Sequence, residues 1–301
     1  MTPESLAHLL RPITPEQALL SYRALKETEK PLAGLKTLDF YFFAERLQTK
    51  TKGKGRISFY EAFHDPPTVE QLRVIAKRYG KDPHKPTSLY STFQLWYGSV
   101  NQFRPRIARD ILKTLAPRVG VLDFSSGWGG RALASLSLGI PYIGIDANSS
   151  LAPHYASIQQ YEPSVPLQMT YRPSETVDFS AFSYDCVFTS PPYFTQETYP
   201  NMPHYPTLDD FLDRFLVPVI HLAWKHLQTP GILALNLPDW LYAEVLPLLS
   251  LPPLSERIPM PYTSRHTKDG KPSTRQEWVY VWRKSEDLPS PITNHSAPTK
   301  G

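Results

Sequence analysis

From residue 119 onward, short runs of β-branched and apolar residues alternate with amphipathic helical segments, and this alternation limits the fold more than any other feature. The first run, VGVLDF at 119–124, leads through a glycine-rich turn to the helical segment RALASLSLG, and YIGID follows at 142–146. Strands that alternate with helices of this length form parallel sheets with helices on both faces. The sequence predicts an α/β fold built on a doubly wound, mostly parallel, Rossmann-like sheet of seven strands.

Later segments extend the same pattern. Strand-like runs recur at VPLQMTY (165–171), YDCVFT (184–189), GILALNLPD (231–239) and QEWVYVWRK (276–284). The alternation in the last of these suits an antiparallel edge strand. Residues 207–228 predict one long helix, opened by a capping box of Thr207 and Asp210.

The first hundred residues have helical patterns instead. One predicted helix starts at Thr14 with Pro15 in its first turn, and another is capped by Thr68 and stops at Gly80. The sequence therefore predicts a helical N-terminal extension at 1–100, with a role in target recognition, and the α/β domain at 101–284. A disordered tail is expected at 285–301, where Pro, Ser and Asn are frequent.

Composition excludes several classes of protein. The single cysteine, Cys186, rules out an intramolecular disulfide and a multi-cysteine metal site, and the histidines show no metal-ligand spacing. We expect no metal. The absence of a signal-like start and of an apolar run near the ~20 residues that span a bilayer favours a cytoplasmic or other intracellular protein without a membrane partner. A net charge of +4 permits a polyanionic partner.

The glycine-rich turn LDFSSGWGGR at 122–131 predicts a ligand site, because ligands of open α/β sheets bind at the carboxyl ends of strands. Gly127, Gly129 and Gly130 do not match the spacing G-x-G-x-x-G, and no P-loop lysine follows, so a nucleoside with a short charged tail fits better than a pyrophosphate. Asp146, at the tip of the second strand, is placed to accept hydrogen bonds from ribose hydroxyls. The alternative is a turn that only joins strand to helix.

A second site is predicted where YDCVFT ends in Ser190-Pro191-Pro192-Tyr193. The Ser190 hydroxyl and the Pro191 carbonyl can supply two acceptors, which suit the two N–H bonds of an exocyclic amino group on a nucleobase. Proline fixes the backbone and brings no competing N–H donor. Tyr193 offers a face on which an extruded or single-stranded base can stack. The alternative is a strand stopped by two prolines, with the tyrosine filling the core.

The stretch Asp123-Phe124-x-x-Gly127-x-Gly129 resembles the first motif of the S-adenosylmethionine-dependent methyltransferases. The resemblance implies S-adenosylmethionine as cofactor and Asp146 as the ribose ligand. It also implies that NQFRP at 101–105 helps to hold the methionine end and that Asp178 lies near the adenine. The cofactor residues expected on this basis are Phe103, Asp123, Ser125, Gly127, Gly129, Asp146 and Asp178.

The pattern VFTSPPY is similar to the fourth motif of the amino methyltransferases that act on DNA, and the resemblance covers about 119–284. In that family Ser-Pro-Pro-Tyr is associated with cytosine N4, and Asp- or Asn-Pro-Pro-Tyr with adenine N6. The resemblance implies a catalytic role for Ser190, Pro191, Pro192 and Tyr193, base flipping, and a restriction enzyme as a cognate partner. Here the cofactor motif precedes the catalytic one, whereas many cytosine-N4 enzymes have the opposite order.

Two basic segments are candidates for contacts with nucleic acid, at 50–56 and 262–277. Flexible charged loops suit phosphate contacts, although each segment could equally be a solvated loop. Their candidate residues are Lys50, Lys52, Lys54, Arg56, Arg265, Lys268, Lys271 and Arg275.

The sequence thus predicts a DNA methyltransferase that acts on an exocyclic amine, with cytosine N4 favoured over adenine N6. An RNA methyltransferase shares the same chemistry. A catalytically silent subunit that binds nucleic acid, or a methyltransferase that acts on a small molecule, would be compatible with the same fold.

Overall fold

A computed structural model describes residues 1–51, 57–194, 197–198, 203–260, 265–266, 272–273 and 277–285 of the chain. A sheet of seven strands runs through its centre. In chain order, the strands of this sheet are β1 (Val121–Asp123), β2 (Tyr142–Ile145), β3 (Leu167–Thr170), β4 (Cys186–Thr189), β5 (Gly231–Leu237), β6 (Glu256–Pro259) and β7 (Trp278–Lys284).

The spatial order of the strands is 3-2-1-4-5-7-6. Neighbouring strands from β3 to β5 are parallel, and β7 is antiparallel to both β5 and β6. The predicted doubly wound, mostly parallel sheet is therefore confirmed. The order reverses between β1 and β4, so the crevice where such sheets bind ligands lies at the carboxyl ends of these two strands. The sequence pattern does not identify β6.

Helices cover both faces of the sheet and make up most of the first hundred residues. The described α-helices are α1 (Pro3–Leu10), α2 (Pro15–Glu27), α3 (Leu35–Gln48), α4 (Phe59–His64), α5 (Pro66–Arg78), α6 (Pro86–Tyr97), α7 (Pro105–Leu115), α8 (Gly130–Ser137), α9 (Ala152–Gln159), α10 (Leu208–Phe211), α11 (Val217–His226) and α12 (Asp239–Val245).

Helix capping follows the sequence in one case and corrects it in another. Thr14 caps α2 in a capping box with Gln17, as its position before Pro15 predicts. The predicted cap at Thr68 is wrong, because α5 begins two residues earlier and is capped by Asp65, whose carboxylate accepts from the Thr68 amide at 3.1 Å. Proline lacks an N–H and is tolerated in the first turn of a helix, so the two prolines after Asp65 fit inside α5.

The predicted helix at 207–228 is interrupted. Its capping box is present, with the Thr207 hydroxyl accepting from the Asp210 amide at 3.1 Å. Residues Leu212–Leu216 then form a π-helical turn between α10 and α11. Pro218, near the start of α11, has no N–H for the preceding turn, and we attribute the widened turn to this missing donor.

Apolar clusters lie on both faces of the sheet, and one of them includes the N-terminal helices. Leu25 of α2 and Phe42 of α3 pack in one cluster with Leu112 of α7 and Tyr155 of α9, all of them buried. The first hundred residues also have a cluster of their own, centred on Phe59 and its neighbours in α1 and α4–α6. Because α2 and α3 share a core with α7 and α9, the N-terminal helices are packed against the α/β domain.

Within the described ranges, no helix is both long and apolar enough to cross a lipid bilayer. The predicted tail beyond Ser285 lies outside the described residues.

Candidate cofactor and acceptor site

Residues 124–130, which we call the glycine loop, join β1 to α8 at the carboxyl edge of the sheet. Gly127 and Gly129 have φ angles of 57° and 73°, in the left-handed region that favours glycine. A Cβ atom on Gly130 would lie 2.1 Å from the Phe103 carbonyl oxygen. The loop therefore needs glycine for its shape and for the close approach of the 101–105 segment.

The Asp123 carboxylate anchors this loop from below. It is completely buried and accepts hydrogen bonds from Arg131 Nε at 2.6 Å, from the Tyr142 hydroxyl at 2.6 Å and from the Thr189 hydroxyl at 2.7 Å. Burial raises the pKa of Tyr142, so this phenol remains a donor. A single carboxylate thus joins β1, β2, α8 and the end of β4.

Arg131 fixes the rest of the loop. Its guanidinium donates to the Ser125 carbonyl oxygen at 2.6 Å and lies 5.1 Å from the centre of the Phe103 ring. The Phe103 ring in turn makes an edge contact with Phe188 of β4, with ring centres 5.6 Å apart. The predicted cofactor residues Phe103, Asp123 and Ser125 are thus brought together around one buried arginine.

Asp146 follows β2 and faces the glycine loop. One carboxylate oxygen accepts from the Gly127 amide at 2.7 Å and the other from the Asn148 amide at 2.9 Å. Burial outweighs these two hydrogen bonds and raises the pKa of Asp146 to about 6. Tyr155 of α9 donates to the Gly127 carbonyl oxygen at 3.0 Å, so the loop is held from both sides.

Helix α3 covers the outer side of the glycine loop. The ring of Phe42 is so close to Gly129 that a Cβ atom there would lie 2.9 Å from it. Glu45, one turn further along α3, accepts from the Ser150 hydroxyl at 2.9 Å, and its hydrogen bond with His154 lowers its pKa. The sequence prediction assigned target recognition to the N-terminal helices and did not foresee this packing against the loops of the sheet.

Residues 190–194, which we call the Ser-Pro-Pro-Tyr loop, follow β4. The Ser190 hydroxyl donates to Asn236 Oδ1 at 3.1 Å, and the Tyr193 hydroxyl donates to the same oxygen at 3.1 Å. The two hydroxyl oxygens are 3.3 Å apart. Asn236 lies near the end of β5, is 2% exposed, and donates from Nδ2 to the Trp278 carbonyl oxygen at 3.0 Å.

The backbone just after the tetrapeptide adopts an unusual conformation. Phe194 has a φ of 52°, which is uncommon for a bulky residue and costs of order 1–3 kcal/mol. Its ring packs against Phe211, with ring centres 5.6 Å apart, and Pro191 is buried. Tertiary packing thus holds the loop in a strained shape, as is common at functional sites.

Asp178 lies in the connection between β3 and β4. Its exposed carboxylate caps a short 3-10 turn at Phe179–Ala181 and accepts from both the amide and the hydroxyl of Ser180. These hydrogen bonds lower its pKa. Ser174 is the residue that links this stretch to the glycine loop, since its hydroxyl donates to the Phe124 carbonyl oxygen at 2.5 Å.

Lys50 and Arg265 are the two residues predicted to contact nucleic acid that the structure describes. Lys50 is described, and its ammonium nitrogen lies 3.1 Å from Glu61 Oε1. Its backbone starts a two-residue antiparallel ladder in which Lys50 and Thr51 pair with Thr198 and Glu197. Arg265 belongs to a similar short ladder with Ser273. The other candidates fall outside the described residues: Lys52, Lys54, Arg56, Lys268, Lys271 and Arg275.

Sequence reasoning missed the groups that hold the two loops in place. They are Arg131, Tyr142, Tyr155 and Asn236. Asn236 could have been identified from the sequence, because it is the one polar side chain in the otherwise apolar strand GILALNL. A buried amide needs hydrogen-bond partners, so its presence points to polar neighbours at the end of the strand.

No protein-family model matches this sequence, and no curated protein matches it. Solved structures with a similar fold include a Listeria monocytogenes protein assigned to the class I S-adenosylmethionine-dependent methyltransferases. It is 14% identical, with 92% of this chain and 91% of that chain covered and a TM-score of 0.47.

Two further solved structures match a smaller share of this chain. TrmN from Thermus thermophilus is 18% identical over 60% of this chain, with a TM-score of 0.43, and this chain spans 48% of its length. An rRNA methylase from Streptococcus thermophilus is 12% identical over 62% of this chain and 100% of its own, with a TM-score of 0.40. All three scores lie below 0.5, so the likeness concerns the general fold, and the fold assignment rests on this chain's own strand order.

Proposed function

We propose that this protein transfers a methyl group from S-adenosylmethionine to the exocyclic amino group of a base in a polynucleotide. The observation that carries the proposal is the meeting of the two loops at the carboxyl ends of adjacent strands. Thr189, directly before Ser190, donates to the carboxylate of Asp123, which anchors the glycine loop. A hydroxyl acceptor is thereby held beside a crevice suited to a nucleoside.

S-adenosylmethionine is the expected cofactor, and the chemistry of Asp146 supports it. Each carboxylate oxygen accepts only one backbone amide among the described contacts, and burial leaves the charge poorly compensated, as the raised pKa reflects. Two ribose hydroxyls would supply the donors that this carboxylate needs. The resemblance to methyltransferase motifs adds Phe103, Ser125 and Asp178 as residues proposed to line the same ligand.

The chain's own residues then orient the amine. When bound, S-adenosylmethionine supplies an activated methyl group on a sulfonium, whose sulfur keeps the bonding electrons and becomes a neutral thioether as the nitrogen–carbon bond forms. Ser190 Oγ and the Pro191 carbonyl accept from the two N–H bonds, which favours a pyramidal nitrogen with its lone pair directed at the methyl group. The methylated nitrogen releases one proton to solvent. Positioning of this kind provides most of the catalysis.

DNA is the favoured polymer and cytosine N4 the favoured position, on the strength of Ser190-Pro-Pro-Tyr193. The Lys50–Thr51 ladder supports a nucleic-acid substrate, because it starts the basic segment 50–56 next to the chain that follows the catalytic tetrapeptide. Adenine N6 and RNA remain the alternatives within the same chemistry. A restriction enzyme is a proposed partner only if DNA is the substrate.

The test is methyl transfer from labelled S-adenosylmethionine to duplex DNA, single-stranded DNA and RNA, with mass spectrometry of the product nucleosides. We expect N4-methylcytosine in DNA. Ser190→Ala and Tyr193→Ala should each lower the rate of transfer by about 10²-fold, on the scale of losing one oriented polar group or one base-stacking face, and leave cofactor affinity unchanged.

Ser164→Ala is the matched control. Ser164 is exposed and lies just before β3, on the side of the amino ends of the parallel strands, whereas the two loops lie at the carboxyl ends. This variant should behave like the unmodified protein. Bound cofactor with no methylated nucleoside from any polymer would contradict the proposal, and N6-methyladenine as the product would move the target from cytosine to adenine.

A further inference from the structure

Asn236 is a buried polar group in contact with the Ser-Pro-Pro-Tyr loop. It lies near the end of a strand in the middle of the sheet and is 2% exposed. The parallel register pairs Thr189 of β4 with Leu235 of β5, which brings Ser190 beside Asn236. A buried amide is costly unless it is hydrogen-bonded, and here the partners are a main-chain carbonyl and two hydroxyls.

The orientation of the Asn236 amide follows from its partners. The Trp278 carbonyl oxygen can only accept a hydrogen bond, so the amide nitrogen must face it. The amide oxygen is then directed at Ser190 and Tyr193, 3.1 Å from each hydroxyl. An oxygen in this place can only accept.

The three oxygens of this cluster share two hydroxyl protons. Ser190 Oγ, the Tyr193 hydroxyl and Asn236 Oδ1 lie within 3.1–3.3 Å of one another. Both hydroxyls donate to Asn236 Oδ1, so the Ser190 proton is directed at this amide. Toward the crevice, Ser190 therefore presents lone pairs.

We infer that Asn236 is a positioning residue that makes the Ser190 hydroxyl an obligate acceptor, and that the pocket consequently selects bases with an amino group over their oxo counterparts. The inference deepens the proposed function and rests on it for the role of Ser190. An amino group brings two N–H donors to these lone pairs. An oxo group brings only lone pairs and leaves the Ser190 and Pro191 acceptors without a donor, and sites of this kind discriminate strongly.

The test compares amino and oxo bases without assuming which base is the target. Protein saturated with S-adenosylhomocysteine, which has no methyl group to transfer, is titrated with single-stranded 12-mers of deoxycytidine, deoxyuridine, deoxyadenosine and deoxyinosine. In at least one pair, cytosine against uracil or adenine against hypoxanthine, the amino strand should bind roughly tenfold or more tightly, the scale of one good base contact.

Two variants separate positioning from plain packing. Asn236→Leu keeps the volume but frees the Ser190 proton to face the ligand, so the amino preference should fall to near parity while affinity for S-adenosylhomocysteine is retained. Asn236→Asp, in its protonated form, can still donate to Trp278 and accept from both hydroxyls. The ionised form also accepts from both hydroxyls, so this variant should keep the amino preference at every pH at which it remains folded.

The outcomes also distinguish the inference from the proposed function. An Asn236→Leu protein that keeps the amino preference, or an unmodified protein with no preference in either pair, overturns the inference. An amino preference without methyl transfer to any polymer supports the inference and contradicts the proposed function. Thermal unfolding of each variant shows whether it is folded, and Ser190→Ala, which removes the hydroxyl itself, should reproduce the loss of preference if Asn236→Leu fails to fold.

Discussion

The glycine loop and the Ser-Pro-Pro-Tyr loop lie side by side, but they are held in opposite ways. Asp123, below the first loop, is an acidic side chain paired with Arg131, and its oxygens also accept from the hydroxyls of Tyr142 and Thr189. Asn236, below the second, is a neutral amide that accepts from two hydroxyls bordering the crevice. The first anchor serves the fold, whereas we infer that the second also sets the direction of the hydrogen bonds offered to a ligand.

The largest expected effect comes from the charged anchor. Asp123→Asn keeps the shape but leaves the Arg131 guanidinium buried without its counter-ion, a change that costs about 3–5 kcal/mol of folding free energy. Chemical denaturation monitored by fluorescence measures it. Asn236→Leu leaves no buried charge without a partner and should cost clearly less folding free energy than Asp123→Asn. This result would confirm the contrast between the two anchors.

Glu256→Gln is the control for Asp123→Asn. Glu256 pairs with Arg283 on the surface, and exposed ion pairs are worth about 0–1 kcal/mol. If Asp123→Asn costs no more than this control, the carboxylate is not the anchor of the glycine loop.

The second effect tests the packing of the glycine loop against the 101–105 segment. In Gly130→Ala the added methyl would lie 2.1 Å from the Phe103 carbonyl oxygen, so the backbone must shift, at a cost of about 1–3 kcal/mol. We expect weaker binding of S-adenosylmethionine by calorimetry and unchanged amino preference in the Ser-Pro-Pro-Tyr loop. Gly139→Ala, where the added Cβ meets no atom within 4 Å, should leave cofactor affinity unchanged.

The third effect is a pH dependence confined to the glycine loop. The pKa of Asp146 is raised to about 6, so its carboxylate is ionised above this pH and protonated below it. Ribose hydroxyls need the ionised acceptor. Cofactor affinity should therefore be constant above about pH 7 and fall by up to tenfold per pH unit below about 6.

Asp146→Asn should weaken cofactor binding at neutral pH and remove this pH dependence. A pH profile that keeps the same midpoint in the variant would assign the titration to another group.

The sheet can be predicted from the sequence more completely than the arrangement of the candidate site. Buried parallel strands are apolar almost throughout, as YIGID and GILALNL are, so each strand can be recognised from its own residues. The glycine loop and the Ser-Pro-Pro-Tyr loop were located for the same reason, since both follow directly after such runs. The strand Glu256–Pro259 was missed because it is a short edge strand that begins with two charged residues and ends in a proline.

The anchors of the loops were harder to predict because their partners are distant in the chain. Tyr142 meets Asp123 across 19 residues, and Asn236 meets Ser190 across 46. Only the register of the sheet brings them together, and a single sequence does not state that register. The packing of α3 on the glycine loop through Phe42 has the same origin, since the pattern of a helix shows its apolar face and not the surface that it covers.

The smallest expected effect concerns Asp178, whose carboxylate is exposed, whereas Asp123 is buried and Asp146 lies against the glycine loop. If Asp178 contacts the adenine as proposed, Asp178→Ala should weaken S-adenosylmethionine binding less than Asp146→Asn does, because exposed charges are screened by solvent. In the unmodified protein, hydrogen bonds from Ser180 lower the pKa of Asp178, so Asp178 does not titrate near pH 6. The fall in cofactor affinity below about pH 6 should therefore persist in Asp178→Ala. Ser180→Ala removes the hydroxyl donor to Asp178 but retains the backbone amide donor and the carboxylate, so it should leave cofactor affinity unchanged. Equal losses of cofactor affinity in Asp178→Ala and Ser180→Ala would mean that Asp178 acts only through the turn that it caps. Asp146 would then be the carboxylate proposed to contact the cofactor, and Asp123 would support the glycine loop.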